Sequence, residues 1–71
     1  MEEKLLLPHQ QRVVDEKSEL DEKISKLQQF IETNSIFQEL HPAEKQDLIQ
    51  QAGIMLNYSA ILQRRVNRFN Y

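Results

Sequence analysis

Leu48 to Leu62 reads LIQQAGIMLNYSAIL. Ten of these fifteen residues are apolar: Leu48, Ile49, Ala52, Ile54, Met55, Leu56, Tyr58, Ala60, Ile61 and Leu62. Wound at ~100° per residue, they cover roughly two thirds of a helix circumference. A two-helix hairpin buries one stripe of each helix, so this pattern predicts a helix with apolar surface left over. A second copy of the chain is the simplest cover for such a surplus.

The rest of the chain predicts the partner helix. No Gly or Pro falls between His9 and Thr33. Val13, Leu20, Ile24, Leu27 and Ile31 recur at heptad spacing, with Lys17 interrupting the seam. Glu19–Lys23 and Glu22–Lys26 are i,i+4 pairs in the favourable order, each contributing roughly 0.2–0.5 kcal/mol. These features predict a first long helix over about 9–33, with Pro8 at its first turn. The four polar residues before Leu5 are expected to fray. Thr33-Asn34-Ser35 breaks the pattern: Asn34 suits a left-handed C-cap, and Ser35 with Gln38 suits a capping box for a short helix over about 36–40. Ile36, Phe37 and Leu40 are then placed to plug the closed end. His41-Pro42-Ala43-Glu44 starts a second long helix, about 43–69, with His41 near the cap. The short connection makes the long helices antiparallel. The expected fold is all-α: one antiparallel helical-hairpin domain over 1–71, with a short third helix at the turn, assembled as a homo-oligomeric bundle. A 71-residue chain without cysteine has no disulfide to supplement a small core, which also favours assembly.

Charge is unevenly placed. Residues 1–47 hold eleven acids and six bases, net −5; residues 48–71 hold no acid and three bases, Arg64, Arg65 and Arg68, net +3. This asymmetry suits either self-complementary assembly or an anionic ligand at the basic end. The overall charge of −2 argues against duplex nucleic acid as partner. No apolar run approaches the ~20 residues of a membrane span, and Leu5-Leu6-Leu7 is too short for a signal-peptide core. A soluble cytoplasmic protein is the expectation.

Catalytic signatures are missing from the pattern. A single glycine makes no phosphate-cradling loop, and no nucleophile–base grouping stands out. Asp15, Glu16, Glu19, Asp21 and Glu22 read as a solvated helix face. Two histidines and no cysteine make no structural zinc site. No enzyme, cofactor or metal is therefore expected. On the second long helix, Gln50, Gly53, Asn57, Arg64 and Arg68 share a polar stripe. Leu48, Ala52, Met55, Leu62, Val66 and Phe69 form a seam, and Ile54, Tyr58, Ile61 and Arg65 a further edge. Gly53 costs about 1 kcal/mol against Ala in a helix interior. It is either simply tolerated or it permits a close backbone approach. Arg64, Arg65 and Arg68 can pair with acids of another copy or ring an anion, where the planar guanidinium suits phosphate. Arg12 has Asp15 and Glu16 within reach, Lys26 has Glu22, and His9 is a first-turn residue able to meet a base edge or a phosphate.

The run Pro8-His9-Gln10-Gln11-Arg12-Val13-Val14-Asp15-Glu16-Lys17, with Glu19-Leu20-Asp21, Lys26-Leu27, Phe30-Ile31 and, later, Met55, Tyr58, Leu62, Arg65 and Phe69, resembles a family of small bacteriophage proteins. That resemblance spans nearly the whole chain and implies a phage origin. Gln51-Ala52-Gly53-Ile54-Met55 is similar to the second-helix motif of phage cyclic-oligonucleotide sponges. These are helical hairpins, often hexameric, that sequester the nucleotide signals of CBASS and Thoeris immunity. The likeness implies ligand contacts from Arg12, Lys26 and Arg65. Two departures stand out: Gln11 replaces an aromatic residue of the sponge pattern, and the apolar register around Lys26 is offset by one. The candidate ligand-binding residues are thus Arg12, Lys26, Arg65, Arg64, Arg68, Gln11, His9 and Tyr58. The expected function is a phage counter-defence protein in the host cytoplasm, capturing a cyclic di- or trinucleotide or a cyclic ADP-ribose-type signal without cleaving it. The alternatives are an inhibitor laying its apolar second helix on a host protein, or a structural phage oligomer.

Overall fold

The computed structural model describes residues 5–70, and the polar start expected to fray lies outside them. Those residues form α1 (Pro8–Thr33), α2 (Ser35–Glu39) and α3 (Pro42–Asn67), followed by a single 3₁₀ turn, Arg68–Asn70. The fold is all-α, with the two long helices packed against each other.

The helix ends are fixed by local hydrogen bonds. At the start of α1, Pro8 takes the first helical position and the Leu7 N–H donates to Gln10 Oε1 at 2.9 Å. At the hairpin's closed end Asn34 departs from the expected left-handed cap. Its backbone is extended (φ −92°, ψ 124°), and one residue serves two helices. Its N–H donates to the Phe30 carbonyl, closing α1, and its Oδ1 accepts the Ile36 N–H at 2.9 Å, opening α2. Ser35 is therefore the first residue of α2 rather than its cap, and the expected Ser35–Gln38 box is replaced by the Asn34 side chain. An Asx cap suits this position because the short side chain reaches the backbone two residues on without a left-handed φ. At α3, His41 is the cap itself: its Nδ1 accepts the Ala43 N–H at 3.1 Å, and Pro42 supplies a first position that needs no donor.

The core runs along the facing stripes. Val13, Leu20 and Ile24 of α1 meet Leu62 of α3, with Met55, Val66 and Phe69 packed on the cluster. Phe37 is buried at the closed end, where its ring meets Phe30 edge-on at 6.0 Å and 88°. The plug expected there is built from Phe37 with a half-buried Leu40. Ile36 instead points to solvent, because a five-residue helix presents only one inward face.

The molecule is a rod of 53 × 18 × 16 Å. A compact monomer of 8.5 kDa exposes about 4,700 Å². This chain exposes 5847 Å², roughly 1,100 Å² beyond that expectation, as an elongated rod does. Much of the apolar share lies on α3, where Ile49, Ile54, Leu56, Tyr58 and Ile61 are each 41–60 % exposed.

Among the described residues, Leu62 is the one large side chain that is completely enclosed. Leu62→Ala is expected to cost about 2–5 kcal/mol, comparable with the whole ~3–5 kcal/mol a core of this size supplies. Urea denaturation followed by helical circular dichroism should show the variant largely unfolded or its midpoint sharply lowered.

Candidate functional site

The antiparallel packing sets which candidates can meet. Asp21 on α1 lies opposite Ser59 on α3, and Val66 and Phe69 pack on the cluster that holds Val13. The start of α1 therefore lies beside the end of α3. His9, Gln11 and Arg12 share this open end of the rod with Arg64, Arg65 and Arg68, and all six are exposed. The local ion pair expected for Arg12 with Asp15 or Glu16 does not form. Gln11 Nε2 donates to Asp15 Oδ1 at 2.9 Å instead, and an exposed pair of this kind contributes too little to hold two long side chains in place. The two ion pairs among the described residues are Lys17–Asp21 at 2.6 Å and Lys26–Glu22 at 3.2 Å. The other anticipated pair, Glu19–Lys23, is not closed. Both its side chains are exposed, and water competes for them.

Lys26 stands apart. It lies fourteen residues from Arg12, about 21 Å along α1. It lines a shallow recess of about 300 Å³ with Gln29, Phe30, Thr33 and Asn34 at the closed end of the hairpin. No arginine borders that recess. Tyr58 falls between the two ends, on the same α3 face as Arg65 and two turns before it, about 10 Å away. Its ring is partly exposed beside Ile54 and Ile61 on this edge. A single hairpin thus divides the candidate residues into a basic end and a distant lysine. It does not gather Arg12, Lys26 and Arg65 around one cavity.

A polar cluster that joins the two long helices is one the sequence pattern did not single out. Lys17, read as an interruption of the seam, donates from Nζ to Asp21 Oδ2, and the buried Ser59 hydroxyl donates to Asp21 Oδ1 at 2.5 Å. Both carboxylate oxygens are thereby engaged, and the Lys17 side chain is mostly covered. Lys17 and the Ser59 hydroxyl, in that order, hold the Asp21 carboxyl below its ordinary value of 3.8. The available signal was the i,i+4 spacing of Lys17 and Asp21 together with a serine inside the greasy run. Neither reveals that the two helices place them face to face.

These features define a class: a small all-helical hairpin with a basic open end and an unusually apolar second helix. The described residues contain no group of acids and histidines arranged to hold a metal ion. No helix is long and apolar enough to cross a membrane. The family model Sequestin matches residues 7–68, and the chain belongs to that family. No curated protein and no solved structure matches it.

The Asp21 cluster has a testable pH signature. A carboxyl depressed in the folded state binds fewer protons than in the unfolded chain near its ordinary pKa, so folding gains stability above that pKa. The gain is lost as pH falls below about 3.8 toward the folded value. Thermal melts from pH 6 down to pH 2 should show wild type losing more stability than Asp21→Asn across this range. Parallel curves would remove the cluster's contribution.

Proposed function

We propose that this chain is a phage counter-defence protein that captures a cyclic nucleotide immune signal and holds it intact. The supporting observation is its membership of a family whose name denotes sequestration. That membership is joined to a basic end in which Arg12, Arg64, Arg65 and Arg68 are all exposed and outside the ion pairs of the described residues. Capture at equilibrium needs affinity and copy number but no catalytic group. Guanidinium groups bind phosphate through paired, charge-assisted hydrogen bonds. A partly exposed Tyr58 ring on the same α3 edge as Arg65 offers a surface on which a base can stack.

The binding unit in this reading is a homo-oligomer. One hairpin keeps Lys26 about 21 Å from Arg12, too far for one small cyclic nucleotide to engage both. Lys26 of one copy and the arginines of another can border the same pocket. Apposed copies would also cover the Ile54–Tyr58–Ile61 edge and exclude water from the phosphates, strengthening each contact.

Isothermal calorimetry against cyclic di- and trinucleotides and cyclic ADP-ribose isomers tests the proposal. At least one is expected to bind, and chromatography after denaturing the complex should recover it unchanged. Each hydrogen bond to a charged group contributes roughly 1.5–3 kcal/mol, so Arg12→Ala or Arg65→Ala should weaken binding by roughly ten- to a hundred-fold. Absence of binding across the panel, or recovery of a cleaved product, would overturn the reading.

A further inference from the structure

α3 carries two separate unpartnered apolar edges. Ile54, Tyr58 and Ile61 form one; Ile49 and Leu56 form another, about 150° away around the helix. Gly53 and Ala60 lie on the same side as the second edge, and both are exposed. Apart from its chain neighbours and the backbone of its own helix, nothing among the described residues comes within 4 Å of where a Cβ on Gly53 would stand. The glycine therefore makes room for no side chain of its own hairpin, although it weakens the helix that carries it.

We infer that Ile49, Gly53 and Leu56 form a two-fold interface in which α3 of one copy packs antiparallel on α3 of a second. The inference rests on the reading that the chain works as an assembly, and it specifies one of the contacts. Three observations choose the occupant. The first is register. Ile49 and Leu56 flank Gly53 by four and three residues, so a two-fold axis at Gly53 sets each Ile49 beside the partner's Leu56. The two glycines then lie at the crossing, where a missing Cβ lets helix backbones approach closely. The second is charge. Residues 48–71 hold three arginines and no acid, whereas Glu39 precedes α3 and Glu44 and Asp47 lie in its first two turns, with Lys45 the one base among them. Antiparallel apposition brings each basic end toward the partner's acidic one, and a parallel arrangement would set like charges together. The third is exposure. Ile49 is 55% and Leu56 46% exposed, so both members of each Ile49–Leu56 pair gain cover from the same contact. The edge bearing Tyr58 and Arg65 stays free for a different contact.

Two substitutions at Gly53, with Ile49→Cys as a control, test this in the full chain. Gly53→Leu improves helix propensity at an exposed position where an added Cβ meets no other part of the hairpin, so the fold should survive while the crossing is blocked. Light scattering should show an at least two-fold drop in mass with the helical spectrum unchanged. Gly53→Cys introduces the chain's sole thiol, and a two-fold axis at this residue should bring the pair within the ~7 Å Cα separation a disulfide tolerates. Oxidation should then give a covalent dimer, while Ile49→Cys alone should not. An unchanged mass for Gly53→Leu, no covalent dimer from Gly53→Cys, or a monomeric wild type would overturn the interface. A covalent dimer from a protein that binds no cyclic nucleotide would remove the capture reading and leave this contact standing; nucleotide binding without that dimer would do the reverse.

Discussion

Two helices lying side by side touch along one stripe each, whatever their sequences. That geometric limit governs this chain. α1 conforms to it: Val13, Leu20 and Ile24 are buried, and its flanks are charged. α3 exceeds it. Leu62, Ala52 and the packed Met55 and Val66 use the one stripe that α1 can cover, and five further large apolar side chains stay in water. Lengthening the rod cannot relieve this, because each added turn of helix exposes as large a share of its surface as the last. Any further cover for these side chains would have to come from outside the hairpin.

The seam that holds the hairpin is itself unevenly apolar. Lys17, Asp21 and Ser59 interrupt it with a connected polar group in which both Asp21 oxygens are engaged. Such a group favours one arrangement over its neighbours. Sliding α3 by one turn moves Ser59 away from Asp21 and puts an apolar side chain against a carboxylate. A uniformly greasy seam would tolerate that slip far better, so the cluster contributes alignment beyond whatever it adds to stability. Alignment matters here because it fixes which residues share the open end. It sets His9 and Arg12 at the same end of the rod as Arg64, Arg65 and Arg68.

Features with a local cause were legible in the sequence. The Gly- and Pro-free run after Pro8 and the Pro42 start follow from backbone chemistry that acts within a few residues. The width of the apolar arc on α3 followed from helix periodicity alone. What was not legible depended on what each residue faces. Asn34 has the composition of a left-handed cap, but extended backbone lets the same side chain open α2, and only the path of the chain chooses between them. Ile36 was grouped with Phe37 by hydropathy, yet neighbours on a helix point about 100° apart, so just one could turn inward. Lys17 appeared as a flaw in a heptad because a helical wheel holds no information about the opposite helix. The candidate ligand residues divide the same way. The basic character of the C-terminal region was plain in the charge pattern. The separation of Lys26 from the arginines required knowing that α1 is one unbroken helix of 26 residues.

That separation bears on how a chain with so little interior could bind anything. A pocket enclosed within one domain needs walls on several sides, and a two-helix rod has none to spare. Copies placed edge to edge supply walls by repetition, and each wall brings the same few polar groups. In the proposed assembly, symmetry would multiply a small number of arginines into a dense positive field, with no added residues. It also couples binding to assembly: a ligand that touches two copies stabilises their contact, and covering the apolar edges of α3 preorganises the site before ligand arrives. In the proposed assembly, the apolar surface that one hairpin leaves uncovered on α3 would be the material from which the binding site is made.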